Sequence, residues 1–392
     1  MKNKLKIGFF LGVEPFAGGM FQYAQSILNA LLSLNKQHFD ITIVYRDDRW
    51  HEILMKRGVN GKKLSSFIFG LLISDVLLLL RIPRFFAKKI NVCINPLVKN
   101  LMSHKCDIWI FPAQESLSYQ VPFRVVAAIH DLMHRYERSF PEASSWLRYL
   151  IRDFRFKNIA ENSEVILVDS LLGGDHVIKS YQILKKKISV LPYTYPHYLK
   201  ESYDHNELTQ FYKLPKKFIF YPAQFWPHKN HLNLISALSI SLKKCPDIHL
   251  VLTGSKSRNY KNIVKHIHSL NLDNHVIILG HVPDKNMAFL YHHARAMIMP
   301  TYFGPTNIPP IEAISCKCPI LVSRVYAMPE QLGNAALYFE PSSPENIADA
   351  INKIWLNDGL HATYKARSIQ YTKKNNHASF NQRFKNILLK LN

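Results

Sequence analysis

Short apolar runs alternate along this chain with amphipathic stretches of helical period. In the first half, Lys6 to Leu11, Asp40 to Tyr45, Asp107 to Phe111, Val125 to Ile129, Val165 to Val168 and Ile188 to Leu191 read as buried strands. The second half repeats the theme at Phe218 to Tyr221, His249 to Leu252, Val276 to Leu279, Ala296 to Met299, Pro319 to Val322 and Ala336 to Phe339. Helical patterns lie between the runs, beginning with Phe21 to Leu34 and ending with Glu345 to Trp355 and Phe380 to Leu391. Alternation of this kind predicts an α/β fold of parallel, doubly wound sheets, because each strand must cross over through a helix to rejoin its neighbour in parallel. Pro192 to Pro215 is rich in Tyr, Pro and charge without a sustained period, and reads as a linker. The expected organisation is a Rossmann-like domain over 1–195, a linker over 196–215, a second Rossmann-like domain over 216–372 and a terminal helix over 373–392. A chain of 392 residues is long enough to bury two sizeable cores.

Charge changes the picture. Fifty Lys and Arg against 28 Asp and Glu give a formal net of +22, which calls for an acidic partner: nucleic acid, anionic lipid or a nucleotide. The basic residues are dispersed, without a helix-turn-helix, zinc or aromatic-basic repeat, so no nucleic acid partner is expected. Five cysteines without regular spacing, in a chain without a signal peptide, suggest a reducing, cytoplasmic compartment. Cys316 and Cys318 read as packing residues, since a lone C-x-C cannot complete a tetrahedral metal site.

The chemistry concentrates between Met297 and Glu330. The Ala296 to Met299 strand is followed by Gly304, Pro305, Thr306 and Asn307, a turn ending in two good N-cap types, with Pro309 and Pro310 in the first helical turn. A helix starting there, at Ile308, would aim free N–H groups and its positive dipole end at the mouth of the sheet, where α/β folds hold anions. Glu312, one turn in, could accept hydrogen bonds from sugar hydroxyls, or could serve only to complement the dipole. A second segment, Phe218 to Leu234, reads as strand, loop and helix. Its loop carries Gln224, Trp226, His228 and Lys229, and Lys229 would reach a diphosphate from a strand end or remain a solvated charge.

The first half offers candidates of its own. Gly18 and Gly19 follow the first strand and precede a helix, so the backbone could approach a ligand there, or merely reverse direction. His130 and Asp131 end the strand VVAAIHD at the carboxyl edge of its sheet, and His130 could be functional or a hydrogen-bonded structural residue.

These segments resemble the signature of retaining nucleotide-sugar glycosyltransferases of the GT-B fold, in the group-1 (family 4) set used in bacterial polysaccharide and lipopolysaccharide synthesis. Members carry a Gly-Arg loop with Lys five residues after the Arg, a Glu-x7-Glu motif opening a helix, a small-Cys-Gly-x-Pro-Val strand entry and a Pro-Glu. Lys229, Glu312, the Cys316 to Ile320 stretch and Pro329-Glu330 match. Gln224 stands where the family has Arg, and Gly304 where it has the first Glu. The resemblance implies two Rossmann-like domains with an interdomain cleft, the first on the acceptor side and the second binding the nucleotide-sugar. It implies a last helix that crosses back to the first domain. It further implies diphosphate binding at Lys229, ribose binding at Glu312, and sugar contacts from Thr306, Asn307 or backbone N–H groups of the Gly304 to Ile308 loop. Gly18, Gly19 and His130 would face the cleft, with His130 orienting sugar and acceptor. Catalysis is thereby assigned to His130, Lys229 and Glu312, with Gly18, Gly19, Gln224, Thr306, Asn307 and Ile308 around the donor.

No metal or cofactor is expected, since no Asp-x-Asp clamp stands at a strand end and Asp47-Asp48 lies in a basic loop. The acceptor is expected to be a saccharide hydroxyl, on a lipid-linked O-antigen, capsule or lipopolysaccharide precursor. Phe67 to Pro83 is too short and too interrupted to span a bilayer, but is flanked by Lys62, Lys63, Arg81, Arg84, Lys88 and Lys89. It fits a helix lying on an anionic leaflet, placing the enzyme peripherally on the inner face of the plasma membrane, or a core helix with basic ends. The rival readings are a non-catalytic GT-B scaffold, for which Gln224 and Gly304 argue, and a basic nucleic-acid-binding protein.

Overall fold

The computed structural model describes residues 4–391 apart from 16–17, 65–75, 77–81, 83, 201–207, 209–210 and 258. The Phe67 to Pro83 segment, and with it the expected membrane-surface helix, therefore lies outside the described residues except at Val76 and Ile82. The chain packs as two compact units. The first comprises Met1–Tyr136, Ser144–Pro192 and His377–Asn392; the second comprises Glu137–Ala143 and Tyr193–Asn376.

The first unit is built on seven parallel strands: β1 (Leu5–Leu11), β2 (Phe39–Tyr45), β3 (Lys62–Lys63), β4 (Ile108–Phe111), β5 (Arg124–Ala128), β6 (Val165–Val168) and β7 (Ile188–Val190). Their spatial order is β3-β2-β1-β4-β5-β6-β7. Chain order reverses between β1 and β4, and such a switch point opens a crevice at the carboxyl ends of the strands. The runs read from sequence are the observed strands within a residue or two, because strands covered by helices on both faces must be apolar throughout. β4 and β6 are buried at every position. The exception is β3, two exposed lysines that no hydrophobic pattern could reveal.

The Gly19–Leu32 helix follows β1 and buries Phe21, Tyr23, Ala24, Ile27, Leu28 and Leu31. The terminal His377–Leu389 helix packs against it, with Phe380 edge-on to Tyr23 at 6.3 Å. A hydrogen bond from Arg124 to the Leu391 carbonyl (2.7 Å) ties the end of the chain to β5. Ser170 caps the Leu171–Tyr181 helix by accepting from the Gly173 N–H at 3.0 Å. Asp47 and Asp48 are ion-paired, with Arg49 (2.5 Å) and Lys63 (2.7 Å).

The second unit has six parallel strands: β8 (Ile219–Pro222), β9 (Leu250–Thr253), β10 (Val276–Gly280), β11 (Ala296–Met299), β12 (Ile320–Ser323) and β13 (Ala336–Phe339). Their order is β10-β9-β8-β11-β12-β13, with the reversal between β8 and β11. The core gathers Phe220, Tyr221, Phe225, Tyr291 and Trp355, all essentially inaccessible. Tyr195, Leu199 and Leu208, from the stretch with no sequence period, belong to that same core. No described helix is long and apolar enough to cross a membrane.

Candidate functional site

In the second unit the two loops singled out in the sequence leave the carboxyl ends of β8 and β11, the pair that flanks the switch point. The first ends in a short 3-10 turn, Pro227–Lys229, and Asn230, which adopts a left-handed conformation (φ 60°). Asn230 is 5% exposed, and its amide donates to the carbonyls of Pro300 (2.9 Å) and Pro341 (2.7 Å). One side chain thus ties the lysine loop to the chain leaving β11 and to that leaving β13. Tyr221 donates to the Lys229 carbonyl (2.8 Å), and the His228 carbonyl accepts from the Tyr302 N–H (2.9 Å). A loop pinned by this many buried bonds presents its lysine from a rigid base.

Lys229 Nζ donates to Asn307 Oδ1 at 3.4 Å, so the two loops meet through these residues. Asn307 stands at the N-cap position of the Ile308–Ser315 helix, but its side chain does not cap it. The side chain turns to Lys229 and, through Nδ2, donates to the thioether sulfur Sδ of Met328 at 3.4 Å. This corrects the expectation of a side-chain cap: a cation within reach is the stronger partner for the amide oxygen. Gln331 instead clamps the Asn307 backbone, accepting from its N–H (3.0 Å) and donating to its carbonyl (2.8 Å). With Pro at 309 and 310, Ile308 alone among the first three helical residues carries an N–H. Thr306 is 8% exposed and Ile308 is equally enclosed. Gln224 lies exposed on the lysine loop, its Oε1 accepting from Trp226 Nε1 (2.5 Å).

Gly304 has φ 141°, and a Cβ there would stand 2.5 Å from the Asn307 side chain. The family's first Glu therefore has no room in this loop while Asn307 holds its place beside Lys229. Gly304→Glu should cost about 3 kcal/mol from strain and collision combined, seen as a lowered urea midpoint. A variant as stable as the parent would show that the loop does not depend on the glycine.

Glu312 is 6% exposed, and both of its oxygens are engaged: Oε1 accepts from Tyr198 and Oε2 from Tyr291, each at 2.6 Å. Burial pushes its carboxyl above the usual range, while the two phenols pull it back. Burial beside that carboxylate drives both phenols far upward, so they are neutral donors. The sequence gives no hint of these partners, which lie 114 and 21 residues away. A second carboxylate enters from the Glu137–Ala143 segment, where Glu142 meets His228 at 2.9 Å, next to Lys229.

In the first unit, Gly18 starts the Gly19–Leu32 helix with φ 61° and ψ −134°, a backbone setting suited to glycine, and no side chain caps the first turn. His130, just past β5, is buried; Nε2–H donates to the Pro112 carbonyl at 3.0 Å, which sets the tautomer. Burial pushes its imidazole down to about 4, so it is neutral near pH 7. Tyr23, from the helix that Gly19 begins, stands edge-on to it at 4.9 Å. Gly18, Gly19 and His130 thus share one sheet edge, while Lys229, Asn307 and Glu312 share an edge of the other sheet.

One residue of the first unit escaped the sequence reading. Glu115 follows β4 at the switch point, with Oε2 over Gly12 and Oε1 sealed from solvent without a partner among the described residues. Burial pushes its carboxyl up to about 8, against the opposing pull of Arg46 and the Gly12 N–H. The folded state therefore holds a proton that the unfolded chain releases near pH 4.5. Stability should fall as pH rises from there to about 8, by a few kcal/mol in all, and then level off. Glu115→Gln, which stays neutral, should flatten that slope in melting curves taken between pH 5 and 8.5. An unchanged slope would assign it to other groups.

Residues 206–375 match the family model described as glycosyl transferases group 1. This second half is a group 1 glycosyltransferase domain. The O-antigen chain mannosyltransferase RfbU of Salmonella typhimurium is 25% identical over 226 residues, covering 58% of this chain and 59% of that protein. The O-antigen chain mannosyltransferase B of Escherichia coli is 25% identical over 158 residues, covering 40% of this chain and 42% of that protein. The matches thus span less than two thirds of these relatives' own lengths. The crystal structure of Anabaena Alr3699/HepE in complex with UDP and glucose is similar at a TM-score of 0.74 and 16% identity, covering 98% of this chain and all of that one. The fold is accordingly that of the GT-B glycosyltransferases. Within the group 1 domain, Lys229 and the Gly304 to Ile308 loop occupy the switch point of the sheet, where open α/β sheets receive ligands.

Proposed function

We propose that the chain is a retaining glycosyltransferase that moves a sugar, mannose in the first instance, from a nucleoside diphosphate sugar to a saccharide hydroxyl of a lipid-linked O-antigen, capsule or lipopolysaccharide precursor. The observation that carries this reading is the meeting of Lys229 Nζ and Asn307 Oδ1 at 3.4 Å across the switch point of a group 1 domain. The choice of mannose and of O-antigen rests on the relatives' activities.

The diphosphate sits at Lys229 and the Ile308 N–H, where an ammonium and a helix start together favour an anion. As the bond to the sugar breaks, negative charge grows on the leaving oxygen. A lysine held by a rigid loop stabilises that charge more in the transition state than in the ground state. On this reading no metal takes part, and Lys229 supplies the countercharge. Glu312 lies on the ribose side, and the role assigned to His130 is to orient sugar and acceptor. The enzyme works on the cytoplasmic face of the plasma membrane, held by its positive charge.

The test is thermal stabilisation by UDP, GDP, ADP and CMP with EDTA present, followed by transfer from the matching mannose donor. A shift with one diphosphate and EDTA-insensitive transfer supports the reading. No shift with any of them puts the non-catalytic scaffold in its place.

A further inference from the structure

The group 1 domain carries a basic cavity at the amino ends of its strands, and so on the opposite sheet edge from Lys229. It has a volume of about 430 Å³. Lys216 and Lys217 enter it just before β8, Arg295 just before β11, Lys317 just before β12, and His361 and Lys365 from the Asp358–Lys374 helix. Among the described residues, no Asp or Glu lines it.

Two of these cations are fixed in place. Arg295, whose side chain is 12% exposed, donates through Nε to the Ile354 carbonyl (2.9 Å) and through Nη2 to Asp358 (2.5 Å) on the outer side. Lys217 donates to the Trp355 carbonyl (2.8 Å) and lies 4.3 Å from the centre of that indole ring. They finish the carboxyl end of the Pro344–Leu356 helix, which accounts for their presence but not for Lys216, Lys317 and Lys365. Burial, and then the positive charge of Arg295, lowers both Lys217 and His361.

Lys317 adds an independent observation. It follows the Ile308–Ser315 helix at φ 58°, the left-handed position that ends helices and that glycine fills at least cost. A lysine kept in a strained setting, with its side chain on the cavity, is the pattern of strain retained at a binding site.

We propose that this cavity is a binding site for a diphosphate or similarly phosphorylated group, separate from the donor site. Its size admits two linked phosphates, and the guanidinium fixed by its Nε and Nη2 bonds keeps Nη1, which carries no partner among the described residues, as a donor for a phosphate oxygen. The phosphates come either from a soluble ligand or from a lipid headgroup.

The test uses the full chain and inorganic pyrophosphate in titration calorimetry, with Lys229→Ala to remove the donor site from the measurement. In that background Lys317→Glu/Lys365→Glu should weaken pyrophosphate binding by about tenfold or more. Lys317→Gly should raise the melting temperature and weaken binding together, a combination that loss of folding cannot produce. Pyrophosphate binding that survives both variants unchanged overturns the proposal. Sedimentation with phosphatidylglycerol/phosphatidylcholine vesicles then separates the sources. Vesicle binding that falls in the Lys317→Glu/Lys365→Glu variant and is competed by pyrophosphate assigns a headgroup, and vesicle binding indifferent to both assigns a soluble ligand. Because Lys229 is absent throughout, failure here leaves the donor reading intact, and failure of the donor reading leaves this site standing.

Discussion

Lys229→Ala should lower kcat/KM for glycosyl transfer by about 100- to 1000-fold while leaving the urea midpoint nearly unchanged. The two halves of that expectation rest on different features. The ammonium joins the two loops at the switch point, through Asn307 Oδ1 at 3.4 Å. If charge on the departing diphosphate is neutralised there, its loss must appear in the chemical step. The loop itself is held by Asn230, Tyr221 and the His228 carbonyl, none of which needs the Lys229 side chain. Lys229→Arg should recover only part of the activity, since a guanidinium delivers its charge through a planar fork rather than a flexible point. The measurement is initial rate against donor concentration, beside a denaturation curve for each variant. Full activity in Lys229→Ala would remove the residue from the site, and equal loss of stability and activity would make it structural.

The sheets were legible because strands buried on both faces are apolar at each position, and runs such as Val165–Val168 and Ala296–Met299 have no other reading at that length. The loops that follow β8 and β11 were legible because Pro, Gly, Asn and Lys cluster there between two patterns. What the sequence concealed are contacts between residues far apart in the chain. Asn230 looks like an ordinary loop residue until its amide is seen to bridge carbonyls 70 and 111 positions away. Asn307 looks like a cap, because local chemistry favours that role, and only the approach of Lys229 redirects it. Gly304 reads as the loss of a family carboxylate, whereas the structure shows a glycine that the neighbouring asparagine requires. Glu115 had no motif to announce it, since its upward shift arises from enclosure at the switch point rather than from its neighbours in sequence.

Glu312→Ala should cost about 3 kcal/mol of stability, because removing the carboxylate strands two buried phenols at once. Tyr291 is wholly enclosed and has no route to water, so its hydroxyl bears the full loss. Glu312→Gln keeps the shape and one carbonyl acceptor, and its amide can donate to a phenol oxygen, so it should cost nearer 1 kcal/mol. The pair of variants separates two roles that Glu312 could hold together. A purely structural carboxylate moves the urea midpoint in both variants in proportion and leaves the donor KM of Glu312→Gln alone. A carboxylate that also accepts from the ribose raises that KM several-fold at little cost in stability. Each carboxylate oxygen has a second lone pair, so engagement by Tyr198 and Tyr291 leaves capacity for a ligand hydroxyl. Tyr198→Phe then provides the cross-check. It releases Oε1 without touching the carboxylate, so a donor KM that falls in this variant identifies Tyr198 as the group a ribose hydroxyl displaces. A KM that stays fixed in both Tyr198→Phe and Glu312→Gln confines Glu312 to the core of the fold.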